Sequence, residues 1–126
     1  MASTQSLYHL LQSGEGFSVK PCGMTYTGNG YAVGGAADCK LFKRSNDMLS
    51  FIAFEQEFKK LQASSYDAHQ VIGGWVDDQG LVYLELSDVV KSHYIAMELA
   101  TARNEKAIYD FANAKSIEVP RFTDES

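Results

Sequence analysis

Apolar and polar residues alternate from Val71 to Leu86, VIGGWVDDQGLVYLEL, and the alternation is broken at Asp77-Asp78-Gln79-Gly80. Period-two patterning on both sides of an Asp- and Gly-rich turn predicts a β-hairpin over 71–87. Val71, Gly73 and Trp75 then face one way, and Ile72, Gly74 and Val76 the other. On the partner strand Val82, Leu84 and Leu86 make the core face, against Leu81, Tyr83 and Glu85. The spacing next becomes helical. Ser87 or Ser92 can cap a helix over 92–105, with Ile95, Leu99 and Ala102 on its buried edge and Ala96 and Ala100 behind them. A second hairpin, 107–119, pairs AIYDF with SIEV, and the polar stretch 120–126 is expected to fray.

The first half of the chain carries the complementary elements. Ser3 or Thr4 caps a helix over 3–13 whose apolar face is Leu7, Tyr8, Leu10 and Leu11, ended by Gly14 and Gly16. Within 17–36 two short strands, Phe17 to Lys20 and Tyr31 to Ala36, flank a turn-rich loop in which Asn29-Gly30 can supply positive φ angles. Gly34 and Gly35 weaken the second strand, and mark either a bend or backbone approached closely by another element. Lys40 to Arg44 reads as a basic edge strand. A helix over 45–62 starts at Ser45 or Asn46 and carries Met48, Phe51, Ile52, Phe54, Phe58 and Leu61 as one stripe, with Asp47 and Lys59-Lys60 suited to its dipole. Adjacent hairpins favour antiparallel pairing, so the fold class is α+β. The expected architecture is a single domain with a mainly antiparallel sheet of five to six strands and about three helices on one face.

Composition narrows the function. The chain has 126 residues, 45% of them apolar, enough for one core without metals or disulfides. Sixteen acids against eleven scattered bases give a net charge of −5, which argues against nucleic-acid binding. No apolar run is long enough to cross a bilayer, and the first sixteen residues lack the basic and apolar regions of a secretion signal, so the cytoplasm is the expected compartment. Cys22 and Cys39 are expected to be reduced and partly buried.

Candidate chemistry is sparse. His9, His69 and His93 lie far apart without metal-ligand spacing, so no metal and no cofactor are expected. Cys39 with His69 or His93 and Asp88 can be written as a nucleophilic set, yet no nucleophile motif surrounds Cys39, and whether the protein is an enzyme stays open. Asp77, Asp78 and Asp88, with Glu85, could form an acidic surface or simply be solvated edge charge. Tyr31, Trp75, Tyr83, Arg103 and Asn104 are of the types that dominate binding surfaces, although Asn104 fits equally a helix C-terminal cap. Tyr31, Trp75 and Arg103, with the Gly34-Gly35 backbone, could alternatively hold a nucleotide-like molecule at a subunit junction.

The order of short motifs carries one resemblance. Gly16-Phe17-Ser18, Gly30-Tyr31-Ala32-Val33, Gly73-Gly74-Trp75 with Asp77, Val82-Tyr83-Leu84 ahead of Ser87 and Val89-Val90, and Asn104 before Ala107-Ile108-Tyr109-Asp110 together resemble a group of small uncharacterised proteins of bacteriophages and prophages. The likeness runs from Leu7 to Val119. Leu86 and Asn113-Ala114-Lys115 depart from the group, where a small or polar residue and a glycine turn are usual. The resemblance implies a phage accessory protein in the host cytoplasm. Such a protein would act by binding, as an inhibitor of a host enzyme or antiviral defence complex and as a homo-oligomer. The alternatives are sequestration of a nucleotide-like signal and, third, a small hydrolase or transferase.

Overall fold

Ser3 accepts a hydrogen bond from the Ser6 N–H and so starts helix α1 (Thr4–Gln12), whose Leu7 and Leu11 are buried. The computed structural model describes residues 3–37, the backbone of 40–43, and residues 51–65 and 69–120. The expected caps of the second helix at Ser45 and Asn46, together with Asp47, Met48, Cys39 and the tail beyond Pro120, lie outside those residues.

After α1 come β1 (Phe17–Val19), β2 (Tyr31–Val33), β3 (Lys40–Lys43), α2 (Phe51–Ser64), β4 (Gln70–Val76), β5 (Leu81–Val90), α3 (His93–Ala102), β6 (Ala107–Asp110) and β7 (Lys115–Glu118). The domain is therefore α+β, as the alternation predicts. All pairings are antiparallel and the sheet order is β1-β4-β5-β2-β6-β7. β3 pairs with the Leu81 to Leu84 part of β5, and β2 with Asp88 to Val90, so seven strands occupy six ranks.

Register fixes the two faces of the sheet. Ile72 opposes Leu86 and Val19, and Gly74 opposes Leu84 and Phe17, so these positions share the side covered by the helices. There α1 and α2 bury Leu7, Leu11, Phe54, Phe58 and Leu61 against Val82, Leu84 and Leu86. A separate cluster joins α3, through Ala96 and Ala100, to Val33, Ile108 and Val119. The core face expected for the central hairpin is the one observed.

Several details differ from the expectation. β5 runs ten residues, through Ser87 to Val90, because β2 pairs with its end; Ser92, whose side chain accepts from the Ile95 N–H, is the cap of α3. Ile95 and Ile52 are more than half exposed, at 52% and 69%, and Ala102 is exposed too. The α3 face that packs is the alanine one, since small side chains let a helix lie close to the sheet. Cys22 is a free, exposed thiol and not a partly buried one.

Candidate functional site

Because α1, α2 and α3 all pack on one side, no helix among the described residues covers the other, and a groove of about 610 Å3 runs over it, with Val71 and Ser87 buried beneath. Alternation dictates its floor. Ser18, Gly73, Ser87, Ala32, Ala107 and Ser116, one from each of the six ranks in order, all point away from the helices and all are small.

Aromatic side chains close the two ends. At one end Trp75 and Tyr83, opposite one another on β4 and β5, stack with ring centroids 3.9 Å apart and planes within 3°. Tyr83 is held there by donating its hydroxyl to Asp77 Oδ2 at 3.2 Å. Trp75 is 43% exposed, and beside it, just before β1, is Gly16, where a Cβ would lie 2.8 Å from the Gly74 carbonyl oxygen. No side chain can therefore stand against the second ring face from that position. At the other end the segment from Lys20 to Gly30 returns across the sheet. It is anchored by a bridge between Val19 and Thr25, and it brings Tyr26 to Phe111 with centroids 4.5 Å apart. Tyr26 donates to the Asn29 carbonyl at 2.6 Å, which fixes its ring over the groove.

Glu85 is the one formally charged side chain among the described residues lining the groove. The Trp75 indole N–H donates to it. Its carboxylate and that of Glu105, from the segment after α3, meet above Gly34, where a Cβ would lie 2.6 Å from Glu85 Oε1 and 2.9 Å from Glu105 Oε1. The two carboxylates occupy the space a side chain at Gly34 would take, so a larger residue there would have to displace them. Burial pushes the Glu85 carboxyl above its ordinary value, the Glu105 carboxylate adds to the rise, and the Trp75 hydrogen bond opposes it.

Of the binding set expected from sequence, Trp75, Tyr83 and Gly34 come together on the bare face, and the rest do not join them there. Tyr31 lies on the helix side, edge-on to His93 at 5.2 Å. Arg103 Nη2 donates to Asp88 Oδ2 at 2.6 Å and Nη1 to the Gly34 carbonyl at 3.0 Å, so this cation is already used in tying α3 to β5 and β2. Gly35 has φ +87, with the Arg103 side chain packed against it. Asn104, with φ 59, takes the left-handed position just after α3 and is its C-terminal stop.

The three aspartates do not form one acidic surface. Asp77 Oδ1 accepts from the N–H groups of Gln79 and Leu81, which hold its carboxyl below the usual range and shape the hairpin loop. Asp78 is exposed in the same turn. Asp88 is on the helix side, paired with Arg103 and accepting from Gln70. Cys39, the nucleophile written with it, lies outside the described residues. No group of three metal-ligating side chains occurs among the described residues.

Comparison of the chain with protein-family models, curated proteins and solved structures returned no match. The reading of the site therefore rests on its geometry. Ser18, Ser87, Ala32, Ala107, Ser116, Tyr26 and Phe111 were not marked by sequence, and neither was the meeting of Glu85 with Glu105. The only signal for the floor is that positions alternating with the core are small instead of charged. Among the described residues no helix is long and apolar enough to cross a membrane.

Proposed function

We propose that this chain is a non-catalytic binding protein whose groove receives a segment of a partner protein. In the setting implied by the phage resemblance, that partner is a host enzyme or a defence complex. The observation that carries the reading is a sheet face with no helix over it among the described residues, with a small residue in each of its six ranks and two aromatic stacks, Trp75 with Tyr83 and Tyr26 with Phe111, flanking them. Strands lie about 4.8 Å apart, so six ranks span roughly 24 Å, the length of about seven extended residues. An extended polypeptide matches that length better than one small molecule does.

Electrostatics weighs against the nucleotide-like alternative. The charge in the described lining is a carboxylate, and Arg103, the cation nearest the Gly34-Gly35 backbone, is committed to Asp88. A phosphate would meet repulsion there.

Capture of partners from phage-infected cells by the intact protein, by Gly73→Val and by Tyr94→Ser tests the proposal. Gly73→Val fills the floor, whereas Tyr94 lies exposed on α3. A partner held by the intact protein and Tyr94→Ser but lost with Gly73→Val is the expected result. Equal capture by all three would refute the assignment of the groove.

A further inference from the structure

The charge of the groove specifies its occupant more closely, and the following rests on the binding role just described. Neither Glu85 nor Glu105 has an ion-pair partner among the described residues. Two carboxylates that crowd one point above Gly34, half withdrawn from water, are costly to leave without a cation. Beside them stands Trp75, with one ring face on Tyr83 and the other unblocked by Gly16. Carboxylates to accept hydrogen bonds next to an indole face to receive a positive charge are complementary to a guanidinium or ammonium group. The remaining lining is apolar or small, which suits the uncharged stretch of a peptide on either side.

We propose that the groove binds an extended partner segment through an arginine or lysine side chain, its head group held by Glu85 against Trp75, with Glu105, which meets Glu85 above Gly34 at the edge of the lining, adding its negative charge. Arginine is favoured over lysine, because its planar fork of five donors can serve two neighbouring carboxylates and stack on the indole at once.

Trp75 is the sole tryptophan of the chain, so its emission reports on this groove alone. The test titrates the intact protein with blocked peptides Gly-Ala-Xaa-Ala-Gly in which Xaa is arginine, lysine, norleucine or glutamate, with spermidine and adenosine monophosphate as small-molecule arms. A saturable change is expected with the arginine peptide and a weaker one with lysine, both reduced by added salt, and none with norleucine or glutamate. Glu85→Gln should lower affinity for the arginine peptide by about tenfold or more, corresponding to about 1.4 kcal/mol, while Asp78→Asn leaves it unchanged. Circular-dichroism melts of each variant establish that it is folded.

The proposal falls if norleucine or glutamate peptides match arginine, or if Glu85→Gln binds the arginine peptide as tightly as the intact protein. It also falls if spermidine or the nucleotide binds and no peptide does, or if nothing produces a saturable response. Failure of this inference and failure of the groove itself are separable. Norleucine-peptide binding that Gly73→Val abolishes would remove the cationic occupant and keep the groove. Silence from every peptide, with partner capture indifferent to Gly73→Val, would remove both.

Discussion

Gly73 and Gly74 are chain neighbours on one strand, yet valine at the two positions should have opposite effects on stability. Gly74 faces the helices, and a Cβ there would lie 2.5 Å from Phe17 Cε2 and 2.6 Å from Cζ. The Phe17 ring cannot move aside cheaply, because it packs edge-on against Phe54 and Phe58 at 6.3 and 6.5 Å. Overpacking of this kind costs about 1–3 kcal/mol. Gly73 faces the groove, and the nearest atom to its Cβ would be the Phe17 carbonyl oxygen at 3.8 Å, an ordinary contact. Glycine inside a strand is worse than alanine by about 0.5–1 kcal/mol, and a β-branched residue suits a strand better still. Gly73→Val should therefore stabilise by about 1 kcal/mol and raise Tm by roughly 3–6 °C. Thermal and urea unfolding followed by circular dichroism measures both variants. If Gly73→Val destabilises as much as Gly74→Val, the assignment of the two faces is wrong. If it stabilises, the glycine is being kept at a cost to the fold, as expected of a residue whose purpose is an empty space.

Three further outcomes follow from other parts of the molecule. Burial and Glu105 raise the Glu85 carboxyl above its ordinary value of 4.5, so its contribution to stability is full below pH 4.5 and is lost as the pH rises through the folded-state value; Glu85→Gln should melt higher than the parent at pH 7 and lose that advantage by pH 4, and equal melting at both would contradict the burial argument. Arg103→Ala strips a partner from Asp88 and from the Val33 and Gly34 carbonyls in a half-buried setting, and should cost about 1–3 kcal/mol in urea denaturation; a double-mutant cycle with Asp88→Asn should show coupling, and strict additivity would mean that the ion pair contributes nothing. Ala114 has φ 51, a left-handed conformation that costs an L-residue about 1–2 kcal/mol, so Ala114→Gly should stabilise the β6–β7 turn by about 1 kcal/mol in the same assay; destabilisation would show that the turn is not held as described.

The local elements were legible because they are written in local patterns. Alternation around Asp77-Gly80 gave the central hairpin and its core side, and Ser92, one of two candidate caps, starts α3 where serine chemistry allows. The position of β2 between β5 and β6 was not legible, since Tyr31 and Val90 are distant in sequence and no short-range pattern records their pairing. That missing partner is also why β5 was expected to stop at Ser87. The hydrophobic stripe of α3 misled for a different reason: bulky Ile95 marks an apolar position, but close approach to the sheet selects the alanines, which leaves the larger side chain outside. For the site, Trp75 and Tyr83 were marked only as binding-type residues together with Tyr31 and Arg103, and which of the four share a face depends on the register. Glu85 looked like ordinary edge charge until Glu105 was seen to meet it over Gly34.

The division of the interior into two clusters has a mechanical consequence. One body, built on α1, α2, β1, β4 and the start of β5, and another, built on α3, β6 and β7, are joined in the sheet where the three residues of β2 meet the end of β5. So short a seam resists bending far less than the seven-pair ladder of β4 with β5 does. The groove lies across that seam, and whatever occupies it would lie like a splint over the join between the two bodies. Recognition and stiffening would then be a single event, with the two halves locked at one curvature only while the visitor stays.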